Sequence, residues 1–534
     1  MRFLPVNFNS IMVELSGLTE TLMLFDSLNM TPLSGIEEMI PAARTLMIRF
    51  HPMIISVYQL VDEIQNRSLQ TCRYVSGKQI EIPVCYNGED LAAVAEILGT
   101  SVQDVIRQHA ENEYRVAFTG FAPGFAYLVS DIAQWNIPRR KTPRTRIPAG
   151  TVALAGEFSG IYPQASPGGW QLIGITNKRM WDLSRPEPAL LQPGDRVSFR
   201  NVERGIVTVS LPEKSSIPDE TFAEMSSEGV FCSLEIGSVG LQTLFQDLGR
   251  LGKSSLGISA SGAMDKSALR SANRIVGNSS DQACLEIVQG GFRAVAKGKI
   301  IIGVTGALCP IQIKTPSGEI FHVNTYKPID LNDDDEIILG IPNAGMRSYL
   351  AVRGGFIVPE VLASRSFDTL SNIGPVPLKP DDRLIIGETS HCVAVSVSET
   401  PAFVMPNKDD VVVLDIFFGP RTDWFEQTSI DLLRNQIWQI TPQSNRIGLR
   451  LNGEYALSRI KHEELPSEGT CSGAIQIPAN GQPVLFLADH PVTGGYPVIA
   501  SVAHYHLDLA GQIPINGKIQ FNPINQFHEI QGSK

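Results

Sequence analysis

The densest group of chemically capable side chains in this sequence is a basic loop. Arg139, Arg140, Lys141, Arg144 and Arg146 are five cations within eight positions, and prolines bracket them. Guanidinium groups bind carboxylates and phosphates through paired hydrogen bonds. A solvated basic face would explain any one of these arginines equally well. Because glycine- and aromatic-rich segments flank the whole cluster, we expect Arg139, Arg140 and Arg144 to bind an anionic ligand.

Two segments rich in glycine and aromatic residues accompany the basic loop. One spans residues 120–128 and the other spans residues 159–170. Glycine lets the backbone approach a ligand closely, and an aromatic ring offers it an apolar surface. We expect further contacts with substrate or nucleotide from Phe121, Gly124, Tyr162, Ser166, Gly168 and Gly169.

The second half of the sequence places carboxylates beside glycine-rich turns. Asp247 and Arg250 share one such turn, and Asp265 precedes a helical pattern over residues 267–276 that it could cap. Asp489 stands just before a corner made by residues 493–496. A general base and a turn-capping residue are both open interpretations of Asp489.

Three shorter motifs suggest chemistry that their surroundings do not support. Residues 252–254 (Gly-Lys-Ser) lack the first glycine of a phosphate-binding loop, since Asp247 occupies that position and no helix pattern follows. Cys471 lies between two glycines, as in a nucleophile elbow, but a strand pattern follows it, so we interpret it as structural. His504 and His506 would face one side of a strand; without a nearby third ligand, no metal site is predicted.

Length and composition indicate a modular globular protein. The chain has 534 residues, which predicts three or four domains, and 43% of them are hydrophobic. The formal net charge of −11 argues against nucleic-acid binding. The seven cysteines form no C-x-x-C pair, so neither a disulfide framework nor a zinc site is predicted. We expect a cytoplasmic protein, because no leader or membrane-spanning pattern is present.

The elements that must position these residues are mostly short strands. Helical patterns cover residues 18–29 and 88–98, and strand patterns cover residues 45–50 and 79–84, which predicts a small α+β layer. From residue 115 onward, alternating strands separated by glycine and proline predict closed or sandwiched sheets. Residues 213–229 are polar and form the best candidate for a linker.

A repeated pattern supports related β units. A tight turn followed by a strand occurs four times, with the strands at residues 196–199, 336–339, 383–386 and 518–521. A Gly-Gly-aromatic corner precedes an apolar strand both at residues 168–170 and at residues 494–496. We infer that β-barrel units recur along the chain, although common turn residues could produce the pattern by coincidence.

The motifs together resemble two known families. The 120–128 segment, the Pro-Arg-Arg-x-x-Pro-Arg loop and the Tyr162 to Trp170 segment resemble allophanate hydrolase subunit 1, the Kip inhibitor type, over residues 1–212. Residues 231–534 resemble allophanate hydrolase subunit 2, the Kip antagonist type, through Gln-Asp-x-Gly-Arg at 246–250, Ser-Gly-Ala-Met-Asp at 261–265 and Thr-Gly-Gly-Tyr-Pro at 493–497. The chain is therefore similar to a natural fusion of the two families.

The resemblance implies a mainly β fold with a small α+β part. A ferredoxin-like domain is expected at residues 1–78 and a cyclophilin-like β-barrel at residues 79–212. After a linker at residues 213–230, two further cyclophilin-like barrels are expected at residues 231–405 and 406–534.

The resemblance also implies a function as the B and C components of an ATP-dependent 5-oxoprolinase, which opens 5-oxo-L-proline to L-glutamate. The expected partner is a separate A component of the LamB/YcsF type, the expected cofactors are ATP and Mg²⁺, and an oligomer is expected. In this interpretation the catalytic residues are Asp247, Asp265 and Asp489. The substrate- or nucleotide-binding residues of the second half are Arg250, Thr493, Gly494, Gly495 and Tyr496.

Two other functions remain open from the sequence. A sensor-kinase inhibitor fused to its antagonist would need no catalysis, but a permanent fusion of the two makes little regulatory sense. An accessory module of urea carboxylase or allophanate metabolism is the other alternative. The chain has neither a biotin-carrier Met-Lys-Met motif nor an amidase signature, so it cannot perform that chemistry alone.

Overall fold

Strands make up most of the regular structure, in agreement with the mainly β prediction. The computed structural model describes residues 1–69, 77–132, 135–140, 142, 144–202, 232–393 and 395–532. The predicted linker at residues 213–230 and Lys141 of the basic loop lie outside this part of the chain. The four domain boundaries proposed from the sequence stay a prediction.

The N-terminal unit is a four-stranded antiparallel sheet with two helices. Its strands are ordered β1-β2-β4-β3. Leu24, Leu46 and Leu60 join the helices to the sheet in one buried core. The helix predicted at 18–29 and the strand predicted at 45–50 are confirmed, whereas the second helix was not predicted. The elements are β1 (Arg2–Asn7), β2 (Ser10–Glu14), α1 (Leu18–Met30), β3 (Ile36–Pro41), β4 (Thr45–Phe50) and α2 (Val57–Gln65).

The next unit is a seven-stranded sheet that closes on itself. Its order is β12-β9-β10-β7-β6-β13-β5, and the first and last strands of the unit, β5 and β13, pair in parallel. A bridge between Cys85 and Ile175 joins the two ends of the sheet. The elements are β5 (Gln79–Val84), α3 (Leu91–Leu98), α4 (Val102–Glu111), β6 (Glu113–Thr119), β7 (Ala126–Val129), β8 (Arg144–Ile147), β9 (Thr151–Ala155), β10 (Phe158–Ile161), β11 (Ser166–Gly168), β12 (Gln171–Ile175) and β13 (Arg196–Asn201).

The middle unit consists of a six-stranded and a five-stranded sheet. Leu234 and Phe292 from one sheet and Leu285 and Ile302 from the other share one buried core, so the sheets face each other. The elements are β14 (Ser233–Val239), β15 (Gln242–Gln246), a 3-10 helix (Ser254–Leu256), α5 (Lys266–Val276), β16 (Cys284–Val288), β17 (Phe292–Lys297), β18 (Ile300–Leu308), β19 (Ile311–Lys314), β20 (Ile320–Val323), β21 (Pro328–Leu331), β22 (Glu336–Leu339), β23 (Ala344–Val352) and β24 (Arg383–Ile385).

The last unit is a closed barrel with the order β25-β32-β29-β30-β27-β26-β33. Its first and last strands, β25 and β33, also pair in parallel. Taken strand by strand, this order repeats that of the earlier closed sheet. The elements are β25 (Val411–Phe418), a 3-10 helix (Thr422–Trp424), α6 (Gln427–Asn435), β26 (Trp438–Ile440), β27 (Gly448–Asn452), β28 (Glu468–Gly469), β29 (Ala474–Gln476), β30 (Val484–Phe486), β31 (Thr493–Gly494), β32 (Val498–Val502), a 3-10 helix (His504–His506), α7 (Leu507–Gln512) and β33 (Lys518–Pro523).

The repeated turns predicted these strands well. All four turn-and-strand segments become strands, namely β13, β22, β24 and β33. The strand predicted around His504 and His506 is wrong, because these residues form a 3-10 helix that leads into α7. No helix in the described parts of the chain is long and apolar enough to cross a membrane.

Candidate functional site

Residues predicted separately in the two halves of the sequence meet in the structure. The backbone N–H of Phe121 donates to Thr493 Oγ1 at 2.9 Å. Arg139 Nη2 donates to Ser467 Oγ at 3.1 Å, and its Nε lies 3.1 Å from Glu464 Oε1. Loops of the first closed sheet and of the last barrel therefore form one junction, which we call the interhalf junction.

Three buried hydroxyl groups lie at the interhalf junction. Tyr127 Oη is 3.4 Å from both Ser467 Oγ and Thr493 Oγ1. Each hydroxyl can donate and accept a hydrogen bond. The pair distances are long for O–H···O bonds, so these groups hold one another only weakly. Together with Arg139, they form a polar cluster at the junction.

Phe121 holds a backbone conformation that a bulky residue rarely adopts. Its φ is 62°, in the left-handed region. Contacts from two other units fix the loop on either side: Thr493 accepts from Phe121, and Gly124 N–H donates to Leu256 O at 3.2 Å. Three units of the chain therefore converge on this short loop.

The predicted glycines do permit close approach, but the groups that lie against them belong to the protein itself. A Cβ atom at Gly495 would overlap the Arg139 guanidinium, and one at Gly168 would overlap the Tyr162 hydroxyl. Gly169 O accepts from the Arg140 backbone N–H at 2.7 Å. These glycines pack the interhalf junction and the adjoining basic loop.

Two arginines of the basic loop already have a carboxylate partner within the protein. Arg140 Nη1 lies 2.7 Å from Asp90 Oδ1, and Arg144 Nη1 lies 2.9 Å from Asp90 Oδ2. Asp90 is 4% exposed. Burial alone would raise the pKa of Asp90, but hydrogen bonds from Arg144 and Leu172 N–H and the charges of Arg144 and Arg140 lower it overall. Binding of an external anion by these arginines stays a prediction.

Gly494 and Tyr496 follow Thr493 in the chain and lie beside the interhalf junction. Ser166 lies elsewhere, in β11, which pairs with the strand that carries Arg144. Tyr496 lies 5.9 Å from the Arg459 guanidinium, measured to the ring centre. Ser166 is opposite Ile147 in the short β8–β11 ribbon. The ribbon thus links the basic loop to the second glycine-rich segment.

The predicted aspartates of the second half enter a buried network between the middle unit and the last barrel. Arg446 Nε and Nη2 donate to Asp489 at 2.9 and 3.0 Å, and Arg446 Nη1 donates to Glu286. Arg446 is 2% exposed, and Asp489 and Glu286 are fully buried. Ser261 Oγ donates to Asp489 Oδ1 at 2.6 Å. The expected cleft is therefore a packed interface at Asp489.

Asp247 and Arg250 belong to the same interface. Ser364 Oγ donates to Asp247 Oδ1 at 2.7 Å, and Arg365 N–H donates to Asp247 Oδ2 at 2.6 Å. Arg250 donates to Ser366 O and is 2% exposed. Burial lowers the pKa of Arg250. Both residues thus fix a turn to the 364–366 segment, and a catalytic role for Asp247 stays a prediction.

Asp265 caps α5, as the sequence predicted. Its Oδ1 accepts from Ala268 N–H at 2.8 Å, and its Oδ2 accepts from Gln512 Nε2 at 2.8 Å. Burial, together with the nearby charge of Asp508, raises the pKa of Asp265 to about 7. Asp265 is also one of the residues that line a cavity beside α5.

Ion pairs connect the N-terminal unit to the interhalf junction. Arg421 donates to Glu468, next to Ser467, and its Nη2 donates to Glu14 Oε1 at 2.9 Å. Arg2 Nη1 also reaches Glu14, at 2.6 Å. Since Arg421 is only 3% exposed at its side chain, this ion-pair chain is a buried connection between units.

Sequence reasoning missed several of these residues. Glu286 stands inside the apolar strand β16. Arg347, whose Nε lies 3.7 Å from Glu286 Oε1, stands inside the apolar strand β23. A lone charge in a continuous apolar strand signals a buried partner, because an unpaired buried charge is very costly. That signal could have identified Glu286 and Arg347. Asp90 and Arg446 lie in polar loops and gave no such signal.

The contacts of the described residues give no position for the phosphates or the metal ion of an ATP–Mg²⁺ complex. Among the residues that the structure describes, no group of three or more His, Cys, Asp or Glu side chains could hold a metal ion. Arg140 and Arg144 are paired with Asp90, and Arg139 is paired with Glu464. No phosphate-transfer step is therefore assigned to residues of this chain.

Comparison with known proteins places both parts of the chain in one family. The model for the carboxyltransferase domain, subdomain C and D, matches residues 1–191, and the model for subdomain A and B matches residues 256–523. The chain is 35% identical over 291 residues to the C component of the 5-oxoprolinase of Escherichia coli, covering 54% of this chain and 90% of that protein. It is 43% identical over 155 residues to the B component of the 5-oxoprolinase of Haemophilus influenzae, covering 28% and 70%.

Further similarity extends to urea-metabolising enzymes and to a solved single chain. The urea amidolyase of Lachancea kluyveri is 30% identical over 316 residues, which cover 55% of this chain and 17% of that protein. The crystal structure of the protein TTHA0988 covers 96% of this chain and 99% of its own, with a TM-score of 0.79 and 29% identity. The chain belongs to the carboxyltransferase-domain family, with the C and D subdomains placed ahead of the A and B subdomains in one polypeptide.

Proposed function

We propose that this chain supplies the B and C components of an ATP-dependent 5-oxoprolinase and acts with a separate A component of the LamB/YcsF type. The observation that carries the proposal is the interhalf junction. Phe121 and Arg139, in the part similar to the B component, bind Thr493 and Ser467, in the part similar to the C component, directly. A site shared by the two components explains why both occur in one polypeptide.

The reaction opens a γ-lactam to a carboxylate and an amine. A lactam amide is a poor electrophile. Transfer of the γ-phosphoryl group of ATP, bound with Mg²⁺, to its oxygen would release ADP and let water add to the carbonyl carbon and expel the ring nitrogen. A second water would then hydrolyse the resulting acyl phosphate to the carboxylate and phosphate. The chain's own part is to bind and orient the lactam at the interhalf junction. The Arg139 guanidinium and the hydroxyls of Tyr127, Ser467 and Thr493 are the groups that would hold it there. The ATP requirement favours a cytoplasmic location.

The test is reconstitution from purified proteins. The full chain is mixed with a LamB/YcsF-type A component, ATP, Mg²⁺ and 5-oxo-L-proline, and glutamate and ADP are measured together. We expect coupled formation of both products only when both proteins are present. Arg139→Gln should reduce the rate, whereas Arg196→Gln, which alters an arginine that is 58% exposed on β13, should not. No glutamate in the complete mixture would refute the proposal.

Carboxyl transfer is the second candidate, because the family is named for the carboxyltransferase domain and one relative is named as a putative carboxylase. The putative urea carboxylase of Emericella nidulans is 28% identical over 305 residues, covering 54% of this chain and 24% of that protein. A carboxylated biotin carrier and urea would replace ATP and 5-oxo-L-proline in the assay. Transfer of the carboxyl group to urea, without glutamate formation in the first assay, would favour this candidate.

A further inference from the structure

A cavity of about 220 Å³ lies beside α5 in the middle unit. One face of α5 forms one wall, with Arg270, Ser271 and Arg274. Asp265, Tyr326 and two residues of the segment that leads to the last barrel, Thr400 and Ala402, also line the cavity. The volume suits a molecule of amino-acid size, below the range of about 300–1,000 Å³ that is typical of drug-sized ligands.

The charges around the cavity leave one cation available. Arg274 is paired with Glu399, with Arg274 Nε 2.8 Å from Glu399 Oε1. Ser271 Oγ also donates to Glu399, at 2.9 Å. Arg270 is exposed and has no ion-pair partner among the described residues. Arg270 therefore determines which charge the cavity attracts.

Asp265 adds a polar group that can exist in two protonation states. Each of its oxygens accepts one hydrogen bond: Oδ1 from Ala268 N–H and Oδ2 from Gln512 Nε2. Burial raises its pKa to about 7. A protonated Asp265 can donate a hydrogen bond to a carbonyl oxygen, and an ionised one can accept from an amide N–H.

We propose that this cavity binds a small organic carboxylate, whose carboxylate group pairs with Arg270 and whose second polar group faces Asp265. The planar guanidinium matches a carboxylate. Asp265 lines the cavity, and Glu399 is paired with Arg274 of its wall, so a phosphate dianion would be repelled more strongly than a monoanion.

The proposed function identifies the probe. 5-Oxo-L-proline carries one carboxylate and one lactam, with both an N–H and a C=O, so it has the groups that Arg270 and Asp265 would bind. In this respect the inference rests on the proposed function. None of the residues that line the cavity belongs to the interhalf junction, so the cavity would be a second site for this molecule, in addition to the one proposed there.

Binding is measured by titration calorimetry on the full chain, without the LamB/YcsF-type partner and without ATP. The probes are 5-oxo-L-proline, L-glutamate and inorganic phosphate, each at up to about 10 mM. We expect at least one carboxylate to bind more tightly than phosphate. Arg270→Gln should weaken that binding about tenfold or more, because it removes a charge-assisted pair. Arg293→Gln, an exposed arginine on β17, is the matched control and should bind as the unaltered chain does.

A second variant tests the cavity without changing charge. Ala402 lines the cavity at an exposed position, so Ala402→Trp should fill the space and abolish binding while leaving Arg270 in place. The proposal is overturned if no carboxylate binds, if phosphate binds more tightly, or if both variants bind normally. Carboxylate binding lost in both variants, together with no coupled turnover in the reconstituted mixture, would support the cavity and refute the proposed function. Coupled turnover together with normal carboxylate binding in both variants would support the proposed function and refute the cavity as a binding site.

Discussion

Replacing Arg446 with methionine tests the buried network between the middle unit and the last barrel. Arg446 makes two hydrogen bonds to Asp489 and one to Glu286, and its Nη2 also donates to Gly262 O at 2.7 Å. Methionine keeps much of the apolar stem but removes the charge. The variant therefore leaves two fully buried carboxylates without their main cation.

The expected loss follows from the contacts that remain. Removing one partner of a buried ion pair costs about 3–5 kcal/mol. Asp489 keeps hydrogen bonds from Ser261 and Thr369. Glu286 keeps one from Tyr349 at 2.7 Å and one from Met264 N–H at 3.0 Å. We therefore expect the free energy of unfolding to fall by about 3 kcal/mol, at the lower end of that range.

The loss should depend on pH with a definite sign. Burial favours a raised pKa for Asp489, but Arg446, Ser261 and Thr369 lower it in the unaltered protein. That lowered pKa contributes stability above the unfolded pKa of about 3.9, and the contribution disappears as pH falls through the folded value. Without Arg446, burial leaves the pKa raised, so protonation relieves the variant as pH decreases. The difference between the two proteins should shrink from pH 7 to pH 5.

The assay is urea unfolding followed by tryptophan fluorescence, since Trp438 is buried in the last barrel. Arg450→Met, at an exposed position on β27, is the matched control and should change the free energy of unfolding by less than about 0.5 kcal/mol. Adding Asp489→Asn to the Arg446→Met variant should recover part of the loss. A loss below about 1 kcal/mol that does not vary with pH would show that the network is not what stabilises this interface.

Three further predictions concern the other sites. Asp90→Asn should lower the free energy of unfolding by about 2–3 kcal/mol in denaturant titrations, because Arg144 loses a buried carboxylate; an unchanged midpoint would contradict this. A carboxyl group with a folded pKa of about 7 keeps its proton at pH values where the unfolded chain has lost it, so the unaltered chain should lose stability as pH rises from 4 to 7. Asp265→Asn should remove this loss when the free energy of unfolding is measured across that range; equal pH profiles would contradict it. Gly495→Ala should displace Arg139 and lower reconstituted turnover without unfolding the barrel, and unchanged turnover with a normal circular dichroism spectrum would count against a junction site.

The sequence predicted the local strands well because their signals are local. The turns before Arg196 and Lys518 each define a strand within ten residues. Helix α2 begins with a capping box at Ser56 and Gln59. It was not predicted, because only three of its residues are buried and the apolar pattern is therefore short. The error at His504 has a similar cause: two residues apart fit one face of a strand, but neighbouring packing produced a 3-10 helix.

The candidate site could be predicted only in part. The motifs identified Phe121, Arg139 and Thr493, but no local pattern showed that a loop of one half would bind the other. The basic loop was read as open to a ligand because Asp90, its partner, lies some 50 positions earlier in the chain. Ion pairs between distant segments depend on the tertiary fold, so they cannot be predicted from the local patterns of a single sequence.

The parallel pairing of the first and last strands in each closed unit determines when that unit can be completed during synthesis. Lys78 N–H donates to Asp195, 117 positions away, and Phe418 N–H donates to Asn525, 107 positions away. Neither barrel can close until its final strand has left the ribosome, and contacts so distant in sequence slow folding. The earlier barrel can nevertheless close while the middle unit is being made. Fusion in this order thus gives the later half a finished neighbour on which to assemble.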